Sequence, residues 1–124
     1  MKWQTPRPDF FVKEQAFEVQ EARDHLIAIL KDGEDPARGF THPRLKANRF
    51  HSEPKYPVKK YMGYGLYWDP LDYRYHSQLP HAKATPWPIP SWLQALARDT
   101  VRELFPKELA DYEVQTALVN YYTS

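Results

Sequence analysis

Toward its end the chain alternates between two sides: Val114, Thr116, Leu118, Asn120 and Tyr122 fall on one, and Ala117, Val119 and Tyr121 on the other. A period of two predicts a strand. Upstream the period lengthens. In "ATPWPIPSWLQALARDTVRELFP" the residues Leu93, Leu96, Ala97, Val101 and Leu104 recur at helical spacing. The prolines fix an extended entry, Ser91 stands at an N-cap with Gln94 at the capping-box position, and Pro106 stops the helix. The same helical spacing links Val19, Ala22, Leu26, Ile29 and Leu30, with Asp32-Gly33 as the stop after Lys31. This predicts a helix over 19–31 with one buried face. Before it, Phe10 to Val12 read as an edge strand entering a turn, preceded by Pro6 and Pro8.

The middle of the chain has two characters. Residues 33–60 contain Pro36, Pro43, Pro54 and Pro57 and show little periodicity, which predicts a long loop with room for one short strand. The segment "KKYMGYGLYW" then sets Tyr61, Gly63, Gly65 and Tyr67 on one strand face and Met62, Tyr64, Leu66 and Trp68 on the other. Its glycines suggest a bulge, or close approach by another backbone or a ligand. "DPLDYRYHS" follows as a turn begun by Asp69-Pro70 and a returning strand. No internal repeat or low-complexity tract interrupts this order.

Composition narrows the class. A chain of 124 residues makes a single domain or part-domain. We divide it into 10–60 (strand, helix and basic loop), 61–112 (hairpin and helix) and 113–124 (final strand). A hydrophobic fraction of 42% with 15% aromatics is too rich for a disordered chain, while twelve prolines imply much extended backbone. The absence of cysteine excludes disulfides, thiolate metal sites and cysteine nucleophiles. The longest aliphatic run, "LIAIL", is far short of a membrane span, and Met1-Lys2-Trp3-Gln4 opens no signal peptide. The default expectation is a soluble, intracellular protein with no membrane partner. Net charge is only +1, yet between His42 and Tyr61 lie Arg44, Lys46, Arg49, Lys55, Lys59 and Lys60 against Glu53 alone. That stretch is either a solvated loop or a contact for a polyanion.

Several groups of residues could carry chemistry. Asn120 and Tyr122 project from one strand face and can converge on an oxygen-rich ligand, although such a pair also suits a strand end leaving the core. His51-Ser52-Glu53 has the His-x-acid spacing of two legs of a facial iron triad, with His76 or His81 as a third, but it lies beside Pro54 off any rigid strand and reads as incidental. Asp72, His76 and His81 have no recognised metal spacing. The aromatics Tyr61, Tyr64, Tyr67, Trp68, Tyr73 and Tyr75 beside the basic stretch have the mixture that holds nucleic acid, and equally that of a sheet core rimmed by tyrosines. No P-loop, Gly-rich phosphate loop or Ser-His-Asp order is present.

Taken together, "YMGYGLYWDPLDYRY", "TPWPIPSWLQALARDTV" and "ALVNYYTS" resemble the AlkB family of Fe(II)/2-oxoglutarate dioxygenases, closest to the branch of the first animal AlkB homologue. The likeness is strongest from about Tyr56 to Ser124 and collinear from Phe10. It implies an α+β chain: an N-terminal α/β lid region plus the first strand or strands of a double-stranded β-helix (jelly roll), incomplete in this chain. It further implies that Asn120 and Tyr122 bind 2-oxoglutarate, that Tyr64 packs on a target base, and that Tyr73 or Tyr75 offers another lid ring. Arg49, Lys55, Lys59 and Lys60 would then hold the phosphates of DNA or RNA. The family's His-x-Asp motif, distal histidine and anchoring arginines would all follow Tyr122. The expectation is therefore the substrate-recognition half of a nucleobase demethylase, inactive alone, with iron supplied through a downstream segment or a second chain. A rival expectation is a non-catalytic nucleic-acid-binding or assembly subunit derived from such a lid.

Overall fold

The computed structural model describes residues 3–42 and 59–122. The chain divides into two compact units, Met1–Lys31 and Asp32–Ser124, each described here by itself.

In the first unit, β1 (Trp3–Arg7) and β2 (Phe10–Lys13) form an antiparallel hairpin. Pro6 lies where the register shifts between Gln4 and Arg7, the position in a two-stranded ribbon where a missing amide is least costly. Prolines that seem to forbid a strand are thus absorbed by a bulge. Helix α1 runs over Val19–Gly33, its last two residues belonging to the second unit, and the predicted stop at Asp32-Gly33 is observed. The predicted buried face is not. No residue of α1 is buried, and Val19, Leu26 and Leu30 are exposed, since a unit this short has too little chain to build an interior around the helix.

The second unit is organised on β3 (Lys60–Gly65), which pairs antiparallel with β6 (Thr116–Tyr121) through six partners from Lys60↔Tyr121 to Gly65↔Thr116. On its other edge β3 meets Thr41 in an antiparallel bridge at Tyr61 and Trp87 in a parallel bridge at Tyr64. The four residues Tyr61 to Tyr64 are all buried. Both faces of the strand are therefore covered: Tyr61, Tyr67 and Leu79 form one cluster, joined by Ala82 and Ala84, and the Tyr67 and Tyr61 hydroxyls share a hydrogen bond inside it. The side chain of Tyr64 points the opposite way, where its hydroxyl donates to Asp32 Oδ2 at 2.7 Å.

The single long strand read from "KKYMGYGLYW" is broken after Gly65. A second strand, β4 (Tyr67–Asp69), turns away to pair with β5 (Arg74–His76) as an antiparallel hairpin, with the turn begun at Asp69-Pro70 as predicted. Gly65 makes the break possible. Its φ is +74°, its amide donates to the Trp87 carbonyl at 2.7 Å, and an added Cβ would stand 2.3 Å from the Gln115 carbonyl oxygen. The sequence expectation of close backbone approach is met here.

Helix α2 (Ser91–Leu104) begins at the predicted cap residue itself, so that its cap lies one residue earlier than expected. Pro90, with φ −56° and ψ 144°, is the N-cap residue, and its carbonyl accepts the amides of Leu93 and Gln94 at 3.0 Å. Ser91 is already helical and no side chain caps the helix, so the capping box is not formed. The ring of Pro90 sets the extended entry expected of the prolines, and Pro90 rather than Ser91 takes the cap position. The stripe Leu93, Leu96, Ala97, Val101 and Leu104 is half-buried. Phe105 closes the helix through its amide to the Val101 carbonyl at 2.7 Å, just before Pro106.

The strain at Gly65 gives a direct test. Gly65→Ala places a methyl group against a carbonyl at positive φ and is expected to lower the unfolding free energy by about 2 kcal/mol or more. At Gly63 the nearest atom to a new Cβ is a Tyr67 ring carbon at 3.2 Å, which can give slightly, so Gly63→Ala should cost less. Urea unfolding of both variants checks the order; equal losses would contradict it.

Candidate functional site

Pairing with β3 fixes how β6 presents its side chains. Asn120 lies opposite Tyr61, and Leu118, Asn120 and Tyr122 are all exposed. The strand period places Leu118 and Asn120 toward one side, and Tyr122 follows just past the strand's end, so the Asn120 amide and the Tyr122 phenol are both open to a ligand. One offers donors and an acceptor, the other a hydroxyl, a set suited to a carboxylate or keto acid. Tyr121 turns to the opposite side. Its ring meets Phe40 edge-on at 6.1 Å, and Lys60 Nζ lies 4.6 Å from its centroid and 5.3 Å from that of Phe40.

Lys60 is thereby committed to a cation–π contact between two rings, which competes with the phosphate role expected of it. Lys59 is exposed, and its carbonyl lies 3.0 Å from His42 Nδ1. Arg49 and Lys55, together with His51 and Glu53, lie outside the described residues.

Tyr64 departs from the expectation of a ring stacked on a base. It is 1% exposed, its phenol donates to Asp32, and the Trp87 indole donates to the Asp32 carbonyl at 3.2 Å, with the Arg38 guanidinium 4.8 Å above the indole ring. Period two on a strand does not tell a covered face from an open one. Burial, and after it the Asp32 carboxylate accepting the phenolic proton, raise the Tyr64 ionisation far above the ordinary tyrosine value. Tyr64 ties Asp32 to β3 within the second unit rather than offering a surface.

The open rings lie on the β4–β5 hairpin. Tyr73 and Tyr75 are 78% and 56% exposed, and both lean on Trp68, at 5.8 and 5.0 Å between centroids. Tyr73 has φ +58°, an uncommon conformation for a large side chain, held by its amide bonding the Asp69 carbonyl at 2.9 Å. Exposed Arg74 stands between the two tyrosines in sequence.

The same hairpin brings together Asp69, Asp72 and His76, a group the spacing alone did not reveal. His76 Nε2 lies 2.9 Å from Asp72 Oδ2 and 3.9 Å from Asp69 Oδ2. Partial desolvation works against ionisation of Asp72, but the hydrogen bond from His76 and the Arg74 amide outweigh it and hold the carboxyl below its usual range. His81 belongs elsewhere, with its ring 5.5 Å from that of Tyr67. The signal that could have found the group was the turn itself, since a hairpin begun at Asp69-Pro70 folds position 76 back beside position 69.

These elements, a small mixed α/β arrangement of antiparallel strands, make the chain similar in fold to part of an AlkB architecture. The likeness is to the structure of OsALKBH1, with a TM-score of 0.75 and 22% sequence identity over 99% of this chain. The match occupies 56% of that chain, so the protein spans little more than half the length of its structural neighbour. Neither a family model nor a curated protein sequence matches the chain. Among the described residues no helix is long and apolar enough to cross a membrane.

The buried phenol at Tyr64 has a measurable signature. Tyr64→Phe removes the bond to Asp32 and should cost about 1–2 kcal/mol near neutral pH. Because folding raises the ionisation of Tyr64, its contribution is complete below the unfolded value of about 10 and is lost as pH rises toward the folded one. The stability difference between wild type and Tyr64→Phe should therefore shrink above about pH 10. Chemical unfolding across that range would contradict the assignment if the difference stayed constant.

Proposed function

We propose that the chain forms the substrate-recognition part of an AlkB-like dioxygenase that removes N-methyl groups from nucleobases of DNA or RNA by oxidation. The observation that carries this reading is the fold likeness to OsALKBH1 across nearly the whole chain. It is joined by Asn120, on β6, and Tyr122, just past its end, both exposed, which the sequence resemblance matches to the family's 2-oxoglutarate-binding residues. In this reading the Asn120 amide and the Tyr122 hydroxyl orient the co-substrate's carboxylate and keto oxygens. Tyr73 and Tyr75, open to solvent, contact a base taken out of its stack, and Lys59, with Arg49 and Lys55, engages phosphates. Tyr64 serves as a support for the strand beneath them and makes no base contact.

The donor groups present suit 2-oxoglutarate, but they do not complete an iron site. No His-x-Asp sequence occurs in the chain. Fe(II) supplies dioxygen activation in such enzymes, and its ligands would come from a further segment or a second chain completing the jelly roll. What this chain contributes is binding and orientation.

The test is complementation. The purified chain is mixed with a polypeptide carrying the His-x-Asp half of an AlkB homologue, Fe(II), 2-oxoglutarate and a methylated oligonucleotide, and demethylated base is measured. Turnover should depend on both polypeptides, and the Asn120→Ala/Tyr122→Phe double variant should lower it at least about tenfold, the scale of about two lost hydrogen bonds. A second reading is favoured by the exposed Tyr73-Arg74-Tyr75 run, a surface able to bind nucleic acid without chemistry. Salt-sensitive oligonucleotide binding with no rescue of turnover would overturn the enzyme reading and support this one.

A further inference from the structure

We propose that Asp69, Asp72 and His76 form a binding site for a divalent first-row transition ion of the Zn²⁺ class, which closes the β4–β5 hairpin. The inference is independent of the dioxygenase reading, and the ion is structural rather than the one that activates dioxygen.

The chemistry of the three groups supports it. Two carboxylates and an imidazole are hard and borderline ligands of the kind zinc and its neighbours take, and one ligand atom from each lies within 4.8 Å of the others. This is more than an acidic cluster. The imidazole Nε2 faces both acids, at 2.9 Å from Asp72 and 3.9 Å from Asp69, so one position between them is within reach of all three. Adjacent ligands around tetrahedral zinc stand about 3.4 Å apart, given bonds of about 2.1 Å. The His76–Asp72 pair, at 2.9 Å, must therefore open by about half an ångström and the His76–Asp69 pair, at 3.9 Å, close by about as much. Asp72 can supply the first movement, because its side chain is 43% exposed.

Asp69 is the fixed leg. It is 2% exposed, and its Oδ1 accepts the Leu71 amide at 3.0 Å, which sets the plane of the carboxylate and leaves Oδ2 directed toward the imidazole. Outer contacts of this kind preorganise a metal ligand. The Asp72–His76 hydrogen bond would be exchanged for two bonds to the ion, with solvent completing the shell. The ion would tie the two ends of the turn together beneath Tyr73, whose positive φ the turn already supports.

The full chain, stripped with a chelator, is titrated with Zn²⁺ by calorimetry at neutral pH. The expected result is a single site that weakens at least about tenfold in His76→Ala and in Asp72→Asn, since each removes a direct ligand. Both positions are partly exposed, and the circular dichroism of each variant should match wild type. In parallel, Zn²⁺ should raise the melting temperature of wild type and leave that of His76→Ala unchanged. The proposal is overturned if wild type takes up no Zn²⁺ at millimolar concentration. Undiminished binding by both variants would also overturn it, placing the ion elsewhere, as at His51-Ser52-Glu53.

Discussion

The ladder between β3 and β6 is the constraint on which the second unit depends. It joins residues more than fifty positions apart, and every other feature is read from its register. With Tyr61 set opposite Asn120, the short stretch from Tyr61 to Tyr64 is covered on both faces while Leu118, Asn120 and Tyr122 stay open. A slip of one residue would invert this, turning Asn120 inward and exposing Val119. The edge contacts from Thr41 and Trp87 pin β3 on its far side and fix that register further.

From this ladder the two parts of the candidate site diverge. One is the Asn120–Tyr122 face itself. The other is the β4–β5 hairpin, which leaves the ladder at Gly65 and carries Trp68, Tyr73 and Tyr75 outward. The hairpin is held by its own polar turn, in which Asp69 and Asp72 accept backbone amides and His76 bridges back. Exposed aromatic side chains on a short turn, anchored to a covered strand, combine exposure with rigidity.

Much of this was legible in the residues. The helix around Leu93 to Leu104, the stop at Gly33, the Asp69-Pro70 turn and the outward pair Asn120 and Tyr122 all follow from period and turn chemistry. Elsewhere local pattern misled for physical reasons. The resemblance offered Tyr64 as a ring open to a base, and alternation along "KKYMGYGLYW" could not show that both faces of β3 are covered and that Tyr64 donates to Asp32 inside. Helical spacing at Val19 to Leu30 signalled burial that its own short unit does not provide. Pro90 displaced the expected serine cap, because a fixed φ and a carbonyl sufficed. The Asp69–Asp72–His76 group depends on the turn's closure, which residue spacing alone does not encode.

Native-state hydrogen exchange of the amides flanking the ladder tests the central claim most directly. The amides of Tyr61, Gly65 and Leu66, bonded to the carbonyls of Thr41, Trp87 and Gln115, should exchange only through global unfolding. Their exchange free energies should then equal the unfolding free energy from denaturant and exceed those of the α1 amides. If they exchange as fast as α1, the ladder does not organise the unit, and the open face assigned to Asn120 and Tyr122 loses its basis.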